Sequence, residues 1–433
     1  VTLTGRRTYV GFGFGAIQAG LFLYEAFKSA AFCRLVVAEV LPEVVTTVRQ
    51  AGGRFCVNVA CSGRVEREQV GQVEIQDPAS EPDRQLLVEA IADAAEIGTA
   101  IPSVGHYVSA GPGSLHRILA QGLRTKATRG GPHAVVYTAE NHNRAAEILE
   151  SAVLAEVPSG ERAGVRGRVQ FLNTVIGKMS GVVSDSEELR TWGLATVTPG
   201  ERRAFLVEVF NRILISKIRF GATENHRPFR RGIAVFEEKE DLRPFEEAKL
   251  YGHNATHALA AYLGALRGVS HMADLREIPG FLAFLRAAFI EESGSALVLR
   301  HAGVDFLFTK EGYRRYADDL LARMTNPYLR DSVARVSRDP ARKLGWDDRL
   351  IGTMRLALDE GVVPSRYALG AATALATMDR SLLEGKTSVE AVLSPLWRKS
   401  SPARHEKEAM LDLVEDGLRR LGRWCSSGFP DLC

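Results

Sequence analysis

Near its start the chain runs Arg7-Thr8-Tyr9-Val10-Gly11-Phe12, then Gly13-Phe14-Gly15-Ala16-Ile17, then an apolar stretch, then Arg34-Leu35-Val36-Val37-Ala38-Glu39. The first run reads as a strand, 13–15 as a turn, 17–27 as a helix and 34–39 as a second, buried strand. This opening constrains the fold strongly. Two strands joined through a helix lie parallel, and a parallel sheet must be covered by helices on both faces. The alternation continues with a helix over 85–95, a strand ending near Thr99, a helix over 114–123 and a strand over 133–138. Polar segments 158–168 and 221–231 read as loops.

Glycines between a strand and a helix allow a tight turn and let backbone amides approach a pyrophosphate at the helix N-terminus. Gly13, Phe14, Gly15, Ala16 and Ile17 are therefore candidates for holding a dinucleotide; a purely structural glycine turn is the alternative. Gln18 fills the third fingerprint position counted from Gly13, so helix–strand packing there must differ from the simplest pattern, with Gly20 supplying the close approach. Glu39 ends the second strand where a carboxylate would accept ribose hydroxyls and repel a 2′-phosphate, which favours NAD over NADP. Taken alone, it would be a solvated strand end.

Beyond about residue 250 the pattern becomes helical, over 256–266, 312–324, 366–377 and 406–421, with few convincing strands. Two domains are expected, an α/β Rossmann-like unit over 1–243 and an all-α unit over 244–433. The 55 basic against 52 acidic residues leave a net charge of +3, too balanced for a basic stripe that grips nucleic acid. The apolar stretch 16–32 is interrupted by Gln18, Glu25 and Lys28, which excludes a membrane span. Five scattered cysteines without Cys-x-x-Cys spacing argue against a disulfide framework or zinc site and fit a reducing cytoplasm.

The segment Glu246-Glu247-Ala248-Lys249-Leu250-Tyr251-Gly252-His253-Asn254-Ala255-Thr256-His257 concentrates the chemistry. With a helix starting near Pro244, at about 100° per residue, Glu246, Lys249, Asn254 and His257 share an arc of about 140°. A desolvated Lys249 would be a neutral amine near physiological pH and hence a general base. A surface lysine and a satisfied core histidine are the alternatives. His253 and His257 are spaced to ligate a metal, but without further ligands or a His-Glu-x-x-His arrangement none is expected. Downstream, Arg338, Arg342, Lys343 and Arg349 crowd a segment broken by Pro340 and Gly345. It reads as a basic loop, either solvated or gripping a phosphate, with Arg342 and Lys343 the leading candidates.

Lys249 to Gly264 resembles the Lys-x4-Asn-x2-His signature of the polyol-specific long-chain dehydrogenases. Asn326-Pro327-Tyr328-Leu329-Arg330-Asp331 and Arg335 to Leu344 look most like that family's mannitol-1-phosphate 5-dehydrogenase branch, and the glycine turn, Glu39 and Ala139-Glu140-Asn141 fall in the family's order. Asn173 to Met179 lacks the Val-Asp-Arg common at that place. The resemblance implies a zinc-independent site in a cleft between two domains. There Lys249 is the acid/base, Asn141 and Asn254 hold the reacting oxygen, His257 orients the substrate hydroxyl and tunes the lysine, and Glu246 exchanges protons with solvent. It further implies NAD-dependent interconversion of D-mannitol 1-phosphate and D-fructose 6-phosphate. The rivals are an unphosphorylated polyol (mannitol 2-dehydrogenase-like), a keto-sugar acid, and an NAD-binding sensor without turnover.

Overall fold

The computed structural model describes residues 7–220 and 228–427, and the chain divides into two compact units, Val1–Leu242 and Arg243–Cys433. The strands, all in the first unit, are β1 (Thr8–Phe12), β2 (Arg34–Ala38), β3 (Phe55–Ala60), β4 (Val65–Val70), β5 (Val73–Gln76), β6 (Ala94–Thr99), β7 (Ala134–Thr138), β8 (Val169–Ile176), β9 (Ser180–Val183), β10 (Ala204–Glu208), β11 (Ile213–Ser216) and β12 (Phe236–Lys239).

Eight of them form one sheet in the order β12-β11-β8-β7-β6-β1-β2-β5. Every neighbouring pair is parallel except β8 with β11. Along β7 the side chains of Val135 and Tyr137 enter one apolar layer and Val136 the other, so the sheet is buried on both faces, as parallel pairing demands. From β1 the chain builds outward through β2 to β5, then returns to the other flank at β6. The strand order therefore switches between β1 and β6, and the crevice outside their carboxyl ends is where such sheets take ligands.

The first unit is thus the expected α/β Rossmann-like fold, with one addition. A second sheet, β4-β3-β10-β9, was not foreseen. β4 is Val65-Glu66-Arg67-Glu68-Gln69-Val70, four polar residues between two valines, and offers no apolar alternation to read. The loop expected over 158–168 is instead a 3₁₀ turn, Ser159–Glu161, followed by a short helix, Arg162–Arg166. Of the loop expected over 221–231, residues 221–227 lie outside the described part, and 228–231 carry no regular element.

The second unit is helical. Its long helices, Ala255–Leu266, Lys310–Met324, Ser365–Met378 and Arg404–Ser426, fall where the apolar periodicity places them. No helix among the described residues is long and apolar enough to cross a membrane.

The first helix shows how Gln18 is accommodated. Its amide donates to the Tyr9 hydroxyl at 2.8 Å and lies over Gly11 of β1, in space that a Cβ there would fill. The close approach is made by Gly20, where an added Cβ would stand 2.5 Å from Cγ1 of Val207 on β10. Overpacking of this kind costs about 1–3 kcal/mol. Gly20→Val should accordingly lower the thermal midpoint, whereas Gly15→Ala, with nothing within 4 Å of an added Cβ, should leave it nearly unchanged; calorimetry on the two variants checks the contrast.

Candidate active site

At the carboxyl end of β1 the backbone turns through Gly13, at φ +83°, a left-handed conformation natural only to glycine. A Cβ there would also press to 2.7 Å on the Ala100 carbonyl. The Gly13 N–H donates to Ala38 O at 2.9 Å, joining the turn to the end of β2. One residue on, the Phe14 N–H donates to Glu39 Oε2 at 2.8 Å, while Glu39 Oε1 accepts from the Leu41 N–H at 2.9 Å. Glu39 is therefore a built, buried carboxylate, with one lone pair on each oxygen still available. The Phe14 side chain points into the core against Phe55 and Phe205. Open space over Gly15, helix amides behind it and an ordered acid at the end of β2 fit the phosphate and ribose ends of a dinucleotide.

Asn141 is exposed just beyond the carboxyl end of β7. The preceding residue holds it in place. Glu140 is buried, and its carboxylate accepts from Thr99 Oγ1 at 2.8 Å, from the Ile101 N–H at 3.0 Å and from the Tyr107 hydroxyl. In the segment that departs from the Val-Asp-Arg pattern, Asn173 Oδ1 accepts from the Ala146 N–H, and Lys178 donates to the carbonyls of Glu208 and Phe210 and to Asn211.

In the helical unit, the segment carrying Lys249 is not one α-helix. An α turn, Arg243–Glu247, passes into a π-helical stretch, Ala248–Asn254, and then into the α-helix Ala255–Leu266. This corrects the regular 100° spacing. A π turn pairs residue i with i+5, so Lys249 and Asn254, about 140° apart in α geometry, come to nearly the same side. His257 follows one α turn after Asn254.

Lys249 as a residue is half-buried. Burial brings its pKa down from the ordinary 10.5 to about 8; the Arg349 guanidinium pushes the same way and the Glu246 carboxylate partly opposes. His257 Nε2 faces Asp331 Oδ2 at 3.2 Å, and Asp331 Oδ1 accepts from Arg335 at 2.7 Å. Burial alone would raise the Asp331 carboxyl, but His257 and Arg335 hold it below the usual range. Asp331 was not singled out from sequence, although it closes the segment that began at Asn326. His253 is buried with its ring 6.1 Å from that of His257, and burial, with the neighbouring positive groups, pushes its pKa well down. No group of three or more His, Cys, Asp or Glu side chains that could hold a metal ion forms among the described residues.

The basic segment contains a one-turn helix, Pro340–Lys343, capped by Asp339, and three of the segment's cations, Arg342, Lys343 and Arg349, differ. Arg342 is half exposed and engaged by Asp339 at 2.8 Å and Asp348 at 3.3 Å. Lys343 turns inward, donates to the Arg338 carbonyl and lies 5.9 Å over the Tyr262 ring; burial, reinforced by Arg349 and Arg342, lowers its pKa to about 8. Arg349 spends its Nε on Asp348 at 2.9 Å, and its two terminal nitrogens take no protein hydrogen bond among the described residues. The leading candidate for gripping an anion thus moves from Arg342 and Lys343 to Arg349.

The chain is similar to several known proteins. A family model described as the mannitol dehydrogenase C-terminal domain matches residues 241–415. The chain is 29% identical over 371 residues to mannitol-1-phosphate 5-dehydrogenase of Bacillus licheniformis, covering 84% of this chain and 86% of that one. With the enzyme of the same name from Bacillus pumilus it shares 29% over 343 residues, covering 79% and 81%. Among solved structures, a substrate-free D-sorbitol dehydrogenase superposes with a TM-score of 0.73 at 16% identity, covering 96% of this chain and 94% of that one. The Pseudomonas fluorescens mannitol 2-dehydrogenase ternary complex with NAD and D-mannitol gives 0.67 at 16%, covering 97% and 93%.

The charges around Lys249 make a direct prediction. Its amine should titrate near pH 8 by lysine-resolved NMR, and Arg349→Met should move the midpoint up toward 10.5. A midpoint above 10 in the unmodified protein would contradict the environment described.

Proposed function

We propose that this chain, a member of the polyol-specific long-chain dehydrogenases, interconverts D-mannitol 1-phosphate and D-fructose 6-phosphate using NAD. The observation that carries the reading is the Lys249 amine, desolvated to a pKa of about 8 and brought by a π turn to the same side as Asn254. In polyol oxidation, neutral Lys249 takes the proton of the reacting hydroxyl. The amide N–H groups of Asn254 and Asn141 donate to that oxygen as charge develops on it, a task that needs no metal. His257 holds the neighbouring hydroxyl, and Glu246 passes the proton from Lys249 toward solvent. In ketose reduction the Lys249 ammonium returns the proton. NAD, when bound, supplies the hydride acceptor. Gly13, Phe14, Gly15, Ala16 and Ile17 would hold its phosphates, and Glu39 its adenosine ribose; a 2′-phosphate there would meet the Glu39 charge, so NAD is preferred over NADP.

Arg349 supports a phosphorylated substrate, because its terminal N–H pair is uncommitted and matches a phosphate bidentately. The pairing of Arg342 with Asp339 and Asp348 favours the second reading, an unphosphorylated polyol, since it removes one cation from the cluster. The proposed setting is the reducing cytoplasm, consistent with Cys33, Cys56, Cys61 and Cys425 forming no disulfide among the described residues.

Steady-state kinetics with mannitol 1-phosphate, mannitol, fructose 6-phosphate and fructose test the assignment. The phosphorylated pair should have the higher kcat/KM, and Lys249→Ala should lose about a hundred- to ten-thousand-fold in turnover while still binding NAD. A Lys249→Ala enzyme keeping half the parent rate would exclude the lysine's role.

For the phosphate, in the reducing direction below pH 7, where Lys249 is protonated in parent and variant alike, Arg349→Met should raise KM for fructose 6-phosphate at least tenfold and leave the weak reaction with fructose nearly unchanged. Equal losses on both substrates would assign Arg349 to the scaffold instead.

A further inference from the structure

We propose that Asp331 is a positioning residue that sets the tautomer of His257, proton on Nε2 and lone pair on Nδ1, so that His257 meets its substrate as a hydrogen-bond acceptor. The inference rests on the polyol dehydrogenase reading and specifies what His257 recognises: a free hydroxyl able to donate, next to the reacting carbon.

Asp331 is fixed by its backbone before its side chain does anything. The Met272 N–H donates to Asp331 O at 2.9 Å, the Val333 N–H donates to Ser270 O at 2.9 Å, and His271 and Ser332 form an antiparallel bridge. These ties clip the start of the short helix Val333–Val336 to the segment that follows the helix carrying His257. Arg335, one turn on, takes Oδ1 and so fixes which carboxylate oxygen is left over.

The remaining oxygen, Oδ2, is buried and has no partner among the described residues other than His257, whose own buried Nε2, 3.2 Å away, likewise has no other. Two buried polar atoms without other partners, this close together, satisfy one another. An ionised carboxylate only accepts, so the proton between them belongs to Nε2. In the neutral ring the other nitrogen then carries the lone pair. The groups around the pair agree: Arg335 is already bound to Oδ1, and the neighbouring His253 is held neutral by its burial. A carboxylate behind a histidine performs the same task in many sites, orienting the ring and choosing its tautomer.

Two-bond proton–nitrogen correlation spectra of the histidine-labelled protein test the assignment, with His257→Gln identifying the signal. The parent should show the Nε2–H form, and Asp331→Asn should shift the signal toward the other tautomer or a mixture. The same variant should lower kcat/KM for the polyol at least tenfold while leaving the NAD dissociation constant unchanged, and Asp331→Glu should restore part of the loss. An Nδ1–H signal in the parent would overturn the proposal, whether or not Asp331→Asn folds; so would an Asp331→Asn protein with unchanged tautomer and kcat/KM. Failure of the parent to oxidise any polyol would overturn the dehydrogenase reading instead, and the spectra would still decide the tautomer.

Discussion

Desolvation of one amine is the constraint on which the chemistry proposed for the helical unit depends. Lowering a lysine from 10.5 to about 8 disfavours its charged form by roughly 3 kcal/mol, and that penalty is present in the folded state alone. The unfolded chain holds this proton more tightly, so the penalty is felt in full below pH 8 and fades as pH rises toward 10.5. The apolar helices around Ala255–Leu266 must offset it. The arrangement around the amine keeps the penalty in place: Arg349 repels the ammonium form, and Glu246 restores only part of what burial removes. A fully exposed lysine would stay protonated at neutral pH and could not take a hydroxyl proton.

The π turn at Ala248–Asn254 is the matching constraint on geometry. In the proposed reaction Lys249 accepts a proton from the oxygen to which Asn254 donates, which asks that the two come to one side of one helix. Five residues apart, they stand about 140° apart on an α-helix and come closer together in a π turn. π turns of this kind recur at functional sites. The helix then returns to α geometry, which sets His257 one turn further on, against Asp331.

How much of this was legible in the sequence follows from what each signal measures. The opening strand, turn, helix and strand were readable because glycines and apolar runs report backbone geometry directly, and the long C-terminal helices because their apolar faces repeat. The second sheet was hidden because β4 is charged and β9 has four residues. The π turn was invisible because an i+5 stack leaves no periodic signature in seven residues. Lys249, Asn254 and His257 were singled out as candidates by their order in a motif. Asp331 lies far from them in sequence, and its approach to His257 is visible only once the 270–272 and 331–333 segments pair. Arg342 and Lys343 looked like the better anion ligands because composition counts charges; the structure distinguishes them by partners, with Arg342 held by two aspartates and Lys343 turned inward.

The account stands on Lys249 being the group that exchanges a proton with the substrate. The pH dependence of kcat/KM for mannitol 1-phosphate oxidation with NAD tests this most directly. With Lys249 as base, the value should climb with unit slope and level off above about pH 8, and ketose reduction should fall across the same interval, because one direction needs the neutral amine and the other the ammonium. A profile that stays flat between pH 7 and 9 in both directions, with chemistry limiting the rate, would contradict it.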